Sequence, residues 1–110
     1  MYDVLVMNGT VVTEEGAREA DVAVSGEQIA AVDAPGALGS EAVRVIDAQG
    51  LLVLPGGVDP HVHYELEALG ARSESADTSI GAMFGGNTTV IDFAFCVPPE
   101  SAHDAISSRK

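Results

Sequence analysis

His61-Val62-His63 is the stretch of this 110-residue chain best suited to chemistry. In an extended strand successive side chains alternate faces, so residues two apart point the same way. The two imidazoles are therefore expected side by side, close enough to share one metal ion. Neutral imidazole is a common ligand for zinc and its neighbours in the first transition row. Two solvent-facing histidines would give the same pattern, so the pair alone is weak evidence. Its surroundings add weight. Leu51-Leu52-Val53-Leu54 is continuously apolar, Pro55-Gly56-Gly57 breaks it, and Val58 to His63 resumes extended structure. Pro60 is awkward inside a central strand and tolerable near its end. The histidines thus fall where a strand ends and a helix follows, which is where parallel α/β folds place their sites.

Two carboxylates belong to the same neighbourhood. Asp59 shares the parity of His61 and His63 and is expected to face the same way. On the following strand Asp92 is expected inward with Val90 and Ala94, leaving Ile91 and Phe93 to face covering helices. Ligand imidazoles usually donate their second N–H to a carboxylate, carbonyl or water. Asp59 or Asp92 could supply that acceptor, or either could be a structural aspartate bonded to backbone amides. His103, near Ser101 and Asp104 in the opening turns of a helix, reads as a plain surface histidine. Cys96 is the only cysteine, which excludes an internal disulfide framework and a Cys-rich zinc module. Because it follows an apolar run, it is expected to be a buried, inert thiol.

The elements that must position these groups fall into two parts. The first half reads as short strands and tight turns. Asp3 to Met7 leads into Asn8-Gly9, the dipeptide best suited to a two-residue hairpin, with Thr10 to Thr13 as the return strand. Further strands are expected at Ala20–Val24, Gln28–Val32 and Val43–Asp47, with a loop from Asp33 to Ser40. Past residue 51 the pattern changes. A helix is expected from about Glu74 to Phe84, capped by Ser73 or Ser75 and ended by Gly85-Gly86. Thr88 to Phe95 is β-branched and aromatic, hence a strand. Pro98 to Ser101 then opens a second helix. The order is a small β unit followed by β–α–β with parallel strands.

Composition narrows the function classes. With 46% hydrophobic and 20% charged residues the chain is suited to one small folded domain. A net charge of -12 with only five Lys and Arg argues against a nucleic-acid surface. No basic region precedes an apolar stretch at the start, and no segment approaches the ~20 apolar residues that span a bilayer. A cytoplasmic location is expected.

The run Pro55-Gly56-Gly57-Val58-Asp59-Pro60-His61-Val62-His63 resembles the opening metal motif of the amidohydrolase superfamily. Tyr2 to Val12 looks like the amino-terminal β-sandwich of its dihydropyrimidinase/hydantoinase family, and Asp47 to Gly56 like the lead into a (β/α)8 barrel. Gly85-Gly86-Asn87-Thr88-Thr89-Val90-Ile91-Asp92-Phe93 is similar to the second barrel strand. The resemblance covers essentially the whole chain. It implies an α/β fold with a β-sandwich portion over residues 1–54. Residues 55–110 would be the start of the barrel, as strand, helix, strand and the beginning of a second helix. It further implies His61 and His63 as ligands of a binuclear zinc site that holds a bridging hydroxide and a carboxylated lysine. The expected reaction is ring opening of a cyclic amide, in an enzyme that forms homo-oligomers.

Within the superfamily, dihydroorotases usually carry arginine two residues after the second histidine, to hold a substrate carboxylate. Glu65 stands there and would repel one, which favours a dihydropyrimidine or a 5-substituted hydantoin; it also suits a solvated loop. The remaining family ligands have no counterpart here. The only lysine is Lys110, at the chain end, and His103 follows the second strand instead of the fifth or sixth. The economical expectation is the opening part of a longer protein, inactive alone. Other readings are a non-enzymatic dihydropyrimidinase-related assembly protein, which typically has lost metal ligands, another cyclic amidohydrolase such as an allantoinase, or a free-standing β-rich binding domain.

Overall fold

A computed structural model describes residues 1–65, 67–68, 71–73 and 80–108. The chain divides into two compact units, Met1–Pro55 and Gly56–Lys110. The fold is α/β and dominated by sheet.

The first unit is a five-stranded sheet of β1 (Tyr2–Thr13), β2 (Gly16–Ser25), β3 (Gln28–Asp33), β4 (Ala42–Asp47) and β5 (Leu52–Val53). Its order is β3-β2-β1-β4, with β5 also on β1. The β1–β2 and β2–β3 pairs are antiparallel, whereas β4 and β5 run parallel to β1. Leu5, Val11, Ala20, Val22, Ala23 and Ala48 are its buried apolar residues.

Asn8-Gly9 does not turn the chain, contrary to the hairpin expectation. β1 runs straight through it, with the register against β2 shifting between Val6 and Gly9. Asn8 takes a φ of 62° and forms a bulge. The dipeptide supplies the left-handed conformation that either structure needs; tertiary partners select the bulge. The Asn8 backbone N–H donates to Asp21 Oδ1 at 2.9 Å, and its side-chain amide donates to Asp47 Oδ1 at 3.0 Å. A Cβ on Gly9 would lie 2.5 Å from Val53 Cγ2, so a larger residue would push β5 away. The actual reversal comes at Glu14-Glu15, between Thr13 and Gly16.

Asp21 is fully buried in β2, where an unpaired carboxylate would be costly. Its second oxygen accepts the Gly36 N–H at 2.6 Å. One side chain thereby satisfies the bulge amide and fastens the loop after β3.

In the second unit β6 (Gly57–Val62) pairs in parallel with β9 (Asn87–Asp92). Between them lie the short antiparallel pair β7 (Glu67–Ala68) and β8 (Ala71–Arg72), then α1 (Ile80–Phe84). Residues 74–79 of the expected helix, with the Ser75 cap, lie outside the described residues. Gly85 and Gly86 end α1 as expected: their N–H groups donate to Ala82 and Met83 carbonyls, and Gly86 has a φ of 88°. Gly56 and Gly57 allow β6 to approach β9 closely, since a Cβ on either would strike Thr88 or Asn87.

β9 is shorter than the expected Thr88–Phe95. Asp92 Oδ1 accepts the Phe93 N–H at 2.7 Å, taking a donor that a strand ladder would use, and the chain leaves the sheet. Cys96 is therefore exposed instead of buried, with its Sγ 3.0 Å from the Glu100 carbonyl. The next helix, α2 (Ala102–Ser107), begins where expected; Ser101 caps it by accepting the Asp104 N–H.

Candidate metal centre

The end of β6 carries the candidate site. Its register against β9 advances three residues, from Asp59 to Val62, while β9 advances two, from Val90 to Asp92. Pro60 sits in that irregularity and has no N–H to donate to a ladder. The extra residue breaks the parity argument between Asp59 and the histidines. It does not break the one within His61-Val62-His63.

The two imidazoles do stand side by side. Their centroids are 5.0 Å apart and their planes are nearly perpendicular, at 86°. With metal–nitrogen bonds of ~2.0–2.1 Å, two imidazoles at a near-tetrahedral angle on one ion have centroids about 5 Å apart. The Nδ1 atom of His63 is buried and has no hydrogen-bond partner among the described residues. A buried ring nitrogen in that condition calls for a ligand or an outside partner. Spacing, imidazole nitrogen donors and an unsatisfied nitrogen together fit a first-row transition metal. Among the described residues no group of three or more His, Cys, Asp or Glu converges.

The carboxylates meet the backbone around the pair. Asp59 Oδ1 accepts the His61 N–H at 3.1 Å. Asp92 Oδ1 accepts the Tyr64 N–H at 3.3 Å, besides that of Phe93. Asp92 thus ties the end of β9 to the residue following His63. Glu65 is exposed in the next turn, with a φ of 51°. His103 is 89% exposed on α2, 3.8 Å from Asp104, the surface setting expected of it.

Phe93 is placed differently from the expectation that it faces covering helices. Its ring lies 4.8 Å from that of His61 and 5.3 Å from that of His63. Phe95 is 5.2 Å from His63. Strand alternation cannot be extended to these residues because β9 stops at Asp92. The available signal was an aspartate directly before an aromatic, which can divert the backbone by taking the next amide.

No family model matches the chain. Individual relatives do. It is 41% identical over 95 residues to a D-hydantoinase of Ralstonia pickettii, covering 83% of this chain and 20% of that protein. It is 35% identical over 99 residues to dihydropyrimidinase 2 of Caenorhabditis elegans, covering 88% and 19%. The crystal structure of dihydropyrimidinase from Brevibacillus agri superposes with a TM-score of 0.85 at 36% identity, over 99% of this chain and 23% of that one. The chain belongs to the hydantoinase and dihydropyrimidinase family. This is a family of metal-dependent amidohydrolases. The chain spans about a fifth of the length of these curated relatives and corresponds to their amino-terminal part.

Proposed function

We propose that this hydantoinase-family chain supplies part of a metal-dependent hydrolase that opens the C–N bond of a cyclic amide, a dihydropyrimidine or a 5-substituted hydantoin. The observation that carries the reading is the His61–His63 pair at the end of a parallel strand, with a buried Nδ1 on His63 that has no partner among the described residues. In this reading Met1–Pro55 is the β-sandwich portion, and β6 and β9 are the first two strands of a (β/α)8 barrel. His61 and His63 are two ligands of a zinc site.

The bound metal would make hydroxide available near neutral pH and polarise the amide carbonyl. The residues of this chain hold the ligand geometry for it. Asp59 fixes the His61 amide and Asp92 the backbone just after His63, so each orients a ligand through the main chain. Glu65, two residues past His63, disfavours a substrate bearing a carboxylate and favours an uncharged ring. The names of the relatives agree with that substrate class. A zinc site takes four ligands, or three plus water. The 110 residues alone are therefore expected to bind metal weakly and to hydrolyse nothing.

The test is a chimera in which these residues replace the matching part of the Ralstonia pickettii D-hydantoinase. It is expected to open hydantoin or dihydrouracil, and His61→Ala/His63→Ala should reduce turnover by more than about a hundredfold. A folded, metal-loaded chimera with no ring-opening activity would overturn the reading, as would full activity in the double variant.

A further inference from the structure

We propose that Phe93 and Phe95 are positioning residues that set the orientation of the His61 and His63 rings. The inference rests on the metal-ligand reading above and deepens it. Phe93 touches both candidate ligands at once, tilted by 45° to His61 and 53° to His63. Phe95 packs on His63, and the two phenyl rings are themselves 6.1 Å apart. All these separations fall in the about 4.5–7 Å range of favourable edge and offset contacts between aromatic rings.

An imidazole at a strand end has three staggered χ1 wells and a broad, two-fold χ2. Two rings free to swing converge on an ion only at an entropic cost, which is removed if packing orients them beforehand. A hydrogen bond to the far ring nitrogen commonly does this. Packing against Phe93 and Phe95 acts on the two imidazoles in the same sense. The packing groups are themselves anchored. Asp92 Oδ1 accepts the amides of both Phe93 and Tyr64, joining the backbone that carries the aromatic pair to the backbone that leaves His63. Phe93 and Phe95 are 42% and 45% exposed, so neither is a core residue whose loss would unfold the chain.

The histidine ring-proton NMR signals of the metal-free 110-residue chain test this directly, with exposed His103 as internal reference. Phe93→Leu should move the His61 and His63 signals toward those of a free histidine and leave His103 in place. Phe95→Leu should move His63 and spare His61. Phe93→Tyr, which keeps the ring, should retain the wild-type pattern. For Co2+ binding, Phe93→Leu should weaken affinity about tenfold, or ~1.4 kcal/mol, while Phe93→Tyr should not. Unchanged imidazole signals in Phe93→Leu would overturn the proposal, as would equal shifts of both histidines in Phe95→Leu. Should Phe93→Leu fail to fold, the Phe95→Leu and Phe93→Tyr results decide. A wild-type chain that binds no Co2+ sinks the metal reading, whereas the imidazole signals still decide the positioning claim.

Discussion

Met1–Pro55 and Gly56–Lys110 divide folding and chemistry between them. The first unit holds the buried apolar residues, led by Leu5 and Ala23, and a buried aspartate with both oxygens satisfied by backbone amides. None of the candidate ligands lies in it. The second unit holds His61, His63, Asp59 and Asp92, yet among its described residues only Ala105 is buried. Ile80, Met83 and Phe84 of α1 are exposed, Phe84 by 91%. Five strands around one continuous β1 make a unit with an inside. A two-stranded parallel pair has little inside to offer, because such strands are normally covered on both faces. The candidate ligands therefore sit in the unit with fewer buried residues among those described.

That contrast can be broken from the folded side first. Leu5→Ala should cost about 3–4 kcal/mol in urea unfolding of Met1–Pro55, the usual range for a fully buried leucine. A cost below about 1 kcal/mol would mean that the sheet is not the stable part. Asp21→Ala should come next, at about 2–3 kcal/mol, because it strands the Asn8 and Gly36 amides. Gly9→Ala should cost about 1–2 kcal/mol, since the new methyl meets Val53 and Ala48. By contrast, His61→Ala and His63→Ala should change the unfolding of Met1–Pro55 by less than about 0.5 kcal/mol.

The smallest expected effect is on acid sensitivity. The Asn8 side-chain amide, and secondarily the Gln49 N–H, hold the Asp47 carboxyl below its ordinary value. A folded value below the unfolded one stabilises above the unfolded value, near pH ~3.9, and that contribution is lost as pH falls through the folded value. Asp47→Asn should therefore be slightly less stable than wild type at pH 7, with the difference closing in strong acid. A gap that widened on acidification would reverse the assignment.

Much of this division is legible in the sequence, and the exceptions share a cause. Strand positions from alternation, the helix stop at Gly85-Gly86 and the Ser101 cap are local matters, settled by a few neighbouring residues. The His61–His63 pairing is likewise local, since i and i+2 share a face wherever the strand goes. What fails is local patterning extended across an irregularity. Asn8-Gly9 has the residues of a hairpin, but Asp21 and Asp47, distant in sequence, hold it as a bulge. Counting along strands gives Asp59 and Phe93 their expected faces, and Pro60 and Asp92 interrupt the count. Cys96 follows from the same break. Long-range partners decided each case, and a single sequence does not display them.

We propose His61 and His63 as two ligands of a metal site in the unit that follows Met1–Pro55. Zn2+ binding to the 110-residue chain, measured by calorimetry beside the His61→Ala/His63→Ala variant, tests it most directly. Weak binding is expected, roughly micromolar or weaker for two ligands, that disappears in the variant while Met1–Pro55 stays folded. Nanomolar binding by the wild type would require more ligands than His61 and His63 and would contradict a two-ligand site. Binding retained by the variant would remove the histidines from the account altogether.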